Sequence, residues 1–318
     1  MTPPEQSEKP ERQNERCGFA AIIGAPNAGK STLINAIVGE KISIVSSKVQ
    51  TTRTRVLGIV VQDNAQIVFV DTPGLFKPGA NRMEKAIVGA AWDGVADCDL
   101  ILFVVDAVKG LSRPVRTIIE RLKEVTGKRY ILVLNKIDEI ARPKLLELAM
   151  ALNAQMDFES TFMISARNND GVADLVKEVV KYMPEGPFHY PEDQMSDMPM
   201  RLLAAEITRE KLFRSIHDEI PYDLTVETEN WEEFDNGSIK IDQIIYIARE
   251  GQKKIILGKQ GAMIGKIGTQ AREELEEIFG CRIHLKLFVK VRENWIEDSE
   301  RYTLWGLSHT RDPGKESF

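Results

Sequence analysis

Residues Gly24 to Ser31, which read GAPNAGKS, constrain this 318-residue chain more than any other feature. They match the pattern GxxxxGK(S/T) without a mismatch, after the apolar run Phe19–Ile23 and before a helical pattern. Gly24 and Gly29 allow backbone angles that turn successive N–H groups inward toward an anion. The N-terminus of the following helix adds a positive dipole end. The segment therefore predicts a phosphate-binding loop between a strand and a helix.

Short apolar runs alternate with helical patterns from Cys17 to Met183. The runs are Phe19–Ile23, Val56–Val61, Gln66–Val70, Leu100–Val105, Tyr130–Leu134 and Thr161–Ile164. Four of them are nearly continuous in apolar residues, as expected of strands buried on both faces. The polar break at residues 63–65 is typical of a hairpin. We expect an α/β domain over residues 17–183, with a mixed, mostly parallel sheet covered by helices on both faces.

The rest of the chain has a different pattern. Residues 184–200 contain four prolines, four acidic residues and no Lys or Arg, which favours a linker. Residues 201–307 follow the order α-β-β-α-α-β, which predicts a small α+β domain with helices on one side of a three-stranded sheet. Residues 299–307 are a candidate closing helix, and 308–318 a tail. Residues 1–16 are polar and predict a disordered leader rather than a secretory signal.

Composition excludes several classes of protein. The chain is 43% hydrophobic and 28% charged, unlike collagen, a disordered chain or a disulfide scaffold. Its cysteines, Cys17, Cys98 and Cys281, are widely spaced and favour a reducing, cytoplasmic location. No run of about 18 apolar residues predicts a membrane-spanning helix. The net charge of −6, taken alone, argues against a nucleic-acid partner.

The phosphate loop predicts a nucleoside triphosphate with Mg²⁺. Lys30 would bridge the β- and γ-phosphates and act in catalysis, and the Ser31 hydroxyl would bind the metal. The sequence Asp71-Thr72-Pro73-Gly74 ends the third predicted strand, where Asp71 can hold Mg²⁺ through water and the Gly74 N–H can meet the γ-phosphate. The loop residues expected at the nucleotide are Gly24, Ala25, Pro26, Asn27, Ala28, Gly29, Lys30, Ser31 and Thr32.

Two further segments predict guanine as the base. Asn135-Lys136-Ile137-Asp138 follows the fifth predicted strand, and the Asp138 carboxylate fits the N1–H and 2-amino donors of guanine. Adenine lacks both donors and would leave that carboxylate unpaired. Lys136 can lay its stem along the base plane. Ser165-Ala166, after the sixth strand, can offer the Ala166 N–H to guanine O6.

These segments together resemble the Ras-related GTPases of the translation-factor class, and in detail the Era family. The resemblance rests on GAPNAGKST, KVQTTR at Lys48–Arg53, DTPGL, NKID and SA, with Ala25 and Ala28 standing where the family often has Arg and Val. It implies that Thr51 or Thr52 in the first switch binds Mg²⁺ and contacts the γ-phosphate; Thr52 is favoured, and is a second candidate catalytic residue.

Two residues bear on the rate of hydrolysis that the resemblance implies. Leu75 stands where Ras-like enzymes have a water-orienting Gln, so intrinsic hydrolysis should be slow, near the Ras scale of about 10⁻⁴ to 10⁻³ s⁻¹. Related GTPases with the PNxGKS pattern use the Asn to hold K⁺ beside the phosphates. Asn27 is a candidate for this role, and a plain turn-forming role is an equal alternative.

The GxxG sequence at Gly258–Gly261 resembles the loop of a type II KH domain. This implies binding of single-stranded RNA, with Gly258 and Gly261 near the phosphates. The other residues expected at the RNA are Lys259, Gln260, Ile264, Lys266 and Ile267, with the two isoleucines flooring an apolar groove. Local charge agrees, since residues 251–295 hold nine basic and five acidic residues. The net charge of the whole chain therefore misleads about the partner.

The Era resemblance implies a GTP-hydrolysing switch that binds the 3′ end of 16S ribosomal RNA in assembly of the 30S subunit. It also implies peripheral association with the inner membrane, and we expect a monomer. Three alternatives stay open: a membrane or cell-division GTPase with an accessory KH domain, a GTP-using enzyme of nucleotide or tRNA metabolism, and an RNA-binding module with a vestigial nucleotide domain. A second set of catalytic residues, which the enzyme alternative requires, is not found in the sequence.

Overall fold

The computed structural model describes residues 15–46, 56–74, 88–89, 92, 94–216 and 224–293. Several predictions lie outside the described residues: Thr51 and Thr52 of the first switch, Leu75, the candidate closing helix at 299–307, the tail at 308–318, and all of the leader before residue 15.

The first part of the chain forms a six-stranded sheet in the order β2-β3-β1-β4-β5-β6. Only the β2–β3 pair among these neighbours is antiparallel, and Asp63 and Asn64 turn between these two strands. The predicted mixed, mostly parallel α/β fold is therefore confirmed. The strands are β1 (Arg16–Gly24), β2 (Val56–Gln62), β3 (Ala65–Asp71), β4 (Leu100–Asp106), β5 (Arg129–Asn135) and β6 (Ser160–Ile164).

Helices cover both faces of this sheet. Apolar residues of α1 and α4 pack with one face, and those of α2 and α3 with the other. All seven residues of β3 and of β4 are buried, as the continuous apolar runs predict. The helices are α1 (Lys30–Val38), α2 (Arg113–Leu122), α3 (Arg142–Asn153) and α4 (Val172–Val180). Because the strands are parallel, their carboxyl ends carry the phosphate loop and the NKID segment to the same edge.

The second part is a three-stranded sheet in the order β7-β8-β9, with β7–β8 antiparallel and β8–β9 parallel. Two long helices pack their apolar residues against it. This is the predicted α+β arrangement, with the KH-type order of elements. The elements are α5 (Met200–Ser215), β7 (Leu224–Glu233), β8 (Ile239–Ile247), α6 (Glu250–Leu257), α7 (Ala262–Phe279) and β9 (Ile283–Val291).

The linker at residues 184–200 makes several hydrogen bonds to the six-stranded sheet. The N–H of Ile59 donates to Met195 O at 2.8 Å, and the N–H of Leu57 donates to Asp197 Oδ1 at 3.1 Å. Gln66 Oε1 accepts the N–H groups of His189 and Tyr190. Edge strand β2 and buried Gln66 therefore supply hydrogen-bond partners for the linker.

In the part of the chain that the structure describes, no helix combines the length and apolar character needed to cross a bilayer. The three cysteines are free thiols.

Candidate nucleotide and RNA sites

The phosphate loop joins β1 to α1 through two left-handed residues. Asn27 has φ 64° and Gly29, which precedes the helix, has φ 97°. A β-carbon on Gly29 would lie 2.2 Å from Asn135 Nδ2, so only glycine fits there. The loop and the first turn of α1 together form the kind of anion-binding nest that the motif predicts.

Lys30 lies inside this loop. Its side chain is buried, and Nζ donates to Gly24 O at 3.2 Å and Ala25 O at 3.3 Å. Burial lowers the pKa of Lys30 from its ordinary value to about 8, and the nearby Asp71 carboxylate partly opposes this shift. Gly74 approaches the same group, since a β-carbon there would lie 3.3 Å from Lys30 Nζ. The structure thus brings the ends of the first and third strands together.

The oxygen atoms expected at a metal ion are adjacent. Ser31 Oγ donates to Asp71 Oδ2 at 3.0 Å, and the Asp71 side chain is buried at the end of β3. The Thr72 hydroxyl donates to Ile22 O at 2.8 Å, which fixes the backbone directly after Asp71. A hydroxyl and a carboxylate side by side, next to a phosphate loop, form a donor set that suits Mg²⁺. Among the described residues, no cluster of three or more His, Cys, Asp or Glu offers another metal site.

A continuous cleft joins the phosphate loop to the NKID segment. Two cavities of about 490 Å³ and 250 Å³ share lining residues. The first is bounded by Asn27, Lys30 and Ser31, and the second by Asn135, Asp138 and Ser165. Asp138 is exposed, on a short 3₁₀ turn after β5. The cleft therefore places a candidate phosphate site and a candidate base site at its two ends.

Asn135 ties together three predicted segments. Its Nδ2 donates to Ala28 O at 2.9 Å, and its Oδ1 accepts the N–H of Lys136 at 2.8 Å and of Ala166 at 3.0 Å. The Ala166 N–H is therefore directed at Asn135 in this structure, not at the cleft. Its predicted bond to guanine O6 requires that this bond be exchanged.

Asp106, at the end of β4, is a residue that sequence reasoning missed. Its Oδ2 accepts Lys136 Nζ at 2.5 Å, and the same Nζ donates to Asn27 O at 2.8 Å. Lys136 therefore spans the cleft wall from β4 to the phosphate loop. The sequence feature that could have identified Asp106 is its position at the carboxyl end of a buried strand. In α/β sheets, ligand-binding side chains lie at such ends.

The GxxG loop connects α6 to α7. Gly258, Gln260 and Gly261 have φ of 70°, 52° and 79°, and a β-carbon on Gly258 would lie 2.7 Å from Met263 Cβ. Lys259 and Gln260 are exposed at its tip. This backbone can approach phosphates closely, as KH loops do.

The apolar floor predicted beside this loop needs one correction. Ile264 is partly exposed, whereas Ile267 has no exposed surface and belongs to the core beneath α7. Ile267 therefore supports the groove from below and does not line it. Lys266 is exposed, as is Ile255 at 52%, an apolar residue near the loop that sequence reasoning did not single out.

Comparison with known proteins gives the same two parts. A family model described as "50S ribosome-binding GTPase" matches residues 19–136, and a KH domain model matches residues 219–296. GTPase Era of Afipia carboxidovorans is 54% identical over 297 residues, which cover 93% of this chain and 96% of that protein. GTPase Era of Agrobacterium fabrum is 55% identical over 296 residues, 93% of each chain.

The chain belongs to the Era family of GTPases. Solved structures of Era proteins are similar to this structure over both domains. A single-residue variant of Aquifex aeolicus Era bound to GDP·AlF₄⁻ is 37% identical, with a TM-score of 0.87 over 92% of this chain and 100% of that chain. Era in complex with MgGDPNP and nucleotides 1506–1542 of 16S ribosomal RNA is 38% identical, with a TM-score of 0.88 over 93% and 100%.

The lowered pKa of Lys30 gives this Era GTPase a measurable proton linkage. With a pKa of about 8, part of the Lys30 population of the free protein is neutral at pH 8. Nucleotide phosphates favour the ammonium form, so GDP binding at pH 8 should take up a measurable fraction of a proton. The affinity should fall as pH rises above 8, since binding then requires more uptake. Calorimetry in buffers of different ionisation enthalpy measures the number of protons taken up when GDP binds.

A lysine with its ordinary pKa would take up no proton at pH 8, and that result would contradict the account of Lys30. Lys30→Arg is the control, because a guanidinium stays charged at this pH.

Proposed function

We propose that this chain is a GTP-hydrolysing molecular switch whose KH domain binds single-stranded RNA, the 3′ end of 16S ribosomal RNA, during assembly of the 30S subunit. The observation that carries the proposal is one cleft with a phosphate loop at one end and NKID at the other, in a chain that also holds an exposed GxxG loop. The Era complex with MgGDPNP and 16S rRNA supports it. We assign residues 17–183 to the GTPase domain, 184–200 to the linker and 201–307 to the KH domain.

In the nucleotide site, Lys30 would hold the β- and γ-phosphates, and Ser31 and Asp71 would hold Mg²⁺, which neutralises phosphate charge. Gly74 lies beside Pro26 and Lys30, and its N–H would meet the γ-phosphate. Thr52 is proposed as the remaining metal ligand. With Leu75 after the DTPG sequence, intrinsic hydrolysis would depend on electrostatic stabilisation and be slow.

Asn27 is proposed as a K⁺ ligand beside the phosphates. It has a left-handed backbone and lines the cleft, as does Gly29, two residues later in the phosphate loop. We expect GTP hydrolysis to be faster in KCl than in NaCl at equal ionic strength, and Asn27→Ala to abolish the difference. Equal rates of the unmodified protein in the two salts would contradict this role.

Contacts between the domains support coupling of nucleotide to RNA. The segment 41–46, which leads into the first switch, contacts α5 and α7 of the KH domain: Lys41 pairs with Glu210 and Glu274, and Ile44 packs in the same apolar cluster as Ile207. On the other side of the switch, β2 is bonded to the linker. A nucleotide-dependent change in the switch would therefore act on the linker and the KH domain, which we propose exposes the RNA groove in the GTP state.

The test of this proposal is RNA affinity in two nucleotide states. A fluorescent single-stranded RNA with the sequence of the 16S 3′ end should bind more tightly with a non-hydrolysable GTP analogue than with GDP. Equal affinity in the two states would contradict a switch, and no binding in either would contradict the RNA partner. We also propose a cytoplasmic location, in keeping with the free thiols.

A further inference from the structure

A second serine contacts the carboxylate at the proposed metal site. Ser43 Oγ donates to Asp71 Oδ2 at 3.0 Å, and Ser31 Oγ donates to the same oxygen, also at 3.0 Å. Ser43 is 2% exposed and Asp71 has no exposed surface, so water does not compete for the bond between them. Ser43 lies outside every motif of the sequence, in the loop that follows α1.

The position of Ser43 is fixed by one side chain of α1. Asn35 Oδ1 accepts the N–H of Ile42 at 3.0 Å and of Ser43 at 2.9 Å, and Asn35 Nδ2 donates to Ser43 O at 2.7 Å. These three bonds hold the peptide groups on both sides of Ser43. The helix that carries the Ser31 hydroxyl thus also sets the position of the Ser43 hydroxyl.

The same loop is held two residues later by the KH domain. The N–H of Val45 donates to Glu210 Oε1 at 3.2 Å, and Arg214 Nη2 donates to Val45 O at 3.1 Å. Glu210 is fully buried and also pairs with Lys41 and Arg214. Ser43 therefore lies between two anchors, one on α1 and one on α5, and its hydroxyl is directed at Asp71 between them.

We propose that Ser43 is a positioning residue for Asp71, and that it sets how strongly Mg²⁺ retains the nucleotide. The inference rests on the proposed function. Ser31 is assigned to the metal, and Ser43 is then a residue that orients Asp71 Oδ2 without being a metal ligand itself. Mutation of a group that orients a metal ligand typically lowers metal affinity by about 10- to 100-fold. Because the loop is also anchored on α5, the KH domain becomes part of the support of the metal site.

The test measures dissociation of a fluorescent GDP, N-methylanthraniloyl-GDP, from the full chain, once in excess MgCl₂ and once in EDTA. The ratio of the EDTA rate to the Mg²⁺ rate reports metal retention without any turnover. Ser43→Ala should lower this ratio about tenfold, the lower end of the range for residues that orient metal ligands. The rate in EDTA should stay unchanged, because Ser43 contacts Asp71 and is not among the residues that line the cleft. Asn35→Asp, which removes the donor to Ser43 O, should lower the ratio in the same direction.

The matched control is Ser238→Ala. Ser238 is buried to a similar degree, and its hydroxyl bonds Asn236 in a turn of the KH domain. The ratio of the EDTA rate to the Mg²⁺ rate in Ser238→Ala should equal that of the unmodified protein. A wild-type ratio in Ser43→Ala overturns the inference, including the case in which release is faster to the same extent in MgCl₂ and in EDTA, which indicates a general structural role. If Ser43→Ala does not fold, an unchanged ratio in Asn35→Asp overturns it. A ratio of one in the unmodified protein would instead contradict the proposed Mg²⁺–nucleotide site itself.

Discussion

Replacement of Asp138 by Asn is expected to lower GTP affinity by on the order of 10²- to 10⁴-fold and to make xanthosine triphosphate the preferred nucleotide. The carboxylate is proposed to accept two guanine donors, and a hydrogen bond to a charged group contributes about 1.5–3 kcal/mol. An amide at this position turns a donor toward the guanine 2-amino group. Xanthine has a carbonyl there, which accepts that donor. Competition binding with GTP and xanthosine triphosphate measures the change.

The structure makes this substitution a clean test. Asp138 is exposed on its 3₁₀ turn, so the variant should fold normally. Asp174→Asn is the matched control, because Asp174 is exposed on α4 and lies outside the lining of the cleft. Retained preference for GTP in Asp138→Asn would refute the assignment of the base.

Replacement of both Lys259 and Gln260 by Asp is expected to weaken RNA binding by at least about a hundredfold, because it removes one cation and adds two anions where the GxxG loop clamps phosphates. Asp is among the residues that tolerate a left-handed backbone, which Gln260 has, so the loop should keep its conformation. GTP affinity should not change. Binding of RNA and of nucleotide are measured on the same preparation.

A double variant with the same change of composition isolates the effect of position. Lys144→Asp with Gln155→Asp alters the exposed surface of the GTPase domain by the same net charge. It should bind RNA nearly as well as the unmodified protein. If both double variants lose RNA equally, the loss reflects overall charge, and the KH loop is not the binding site.

The order of elements could be predicted because it depends on local signals. Continuous apolar runs identify β3 and β4, and Gly29 of the phosphate loop and both glycines of the GxxG loop have the positive φ that glycine favours. The residues proposed to bind the nucleotide could be named from the sequence for the same reason, since each motif keeps its donors within a few positions of one another.

What could not be predicted depends on contacts between distant parts of the chain. Ser43 and Asp71 are 28 residues apart, and Asp106 and Lys136 are 30 apart. The linker is held by Gln66, which sequence alone would place simply inside a strand. Ile267 was expected at the RNA because it lies one helical turn after Ile264. In the structure Ile267 is instead buried in the core beneath α7. Periodicity identifies an apolar face, and the fold decides what covers it.

The central claim is that GTP binding makes this chain bind the 3′ end of 16S ribosomal RNA. Ultraviolet crosslinking with sequencing of the bound RNA, in cells that express either the unmodified chain or Asp138→Asn, tests it most directly. We expect crosslinks concentrated at the 3′ end of 16S RNA, lost in Asp138→Asn when only GTP is available and lost in the Lys259, Gln260 double variant. Crosslinks spread over unrelated RNAs, or equal at the 16S end in all three proteins, would contradict the account.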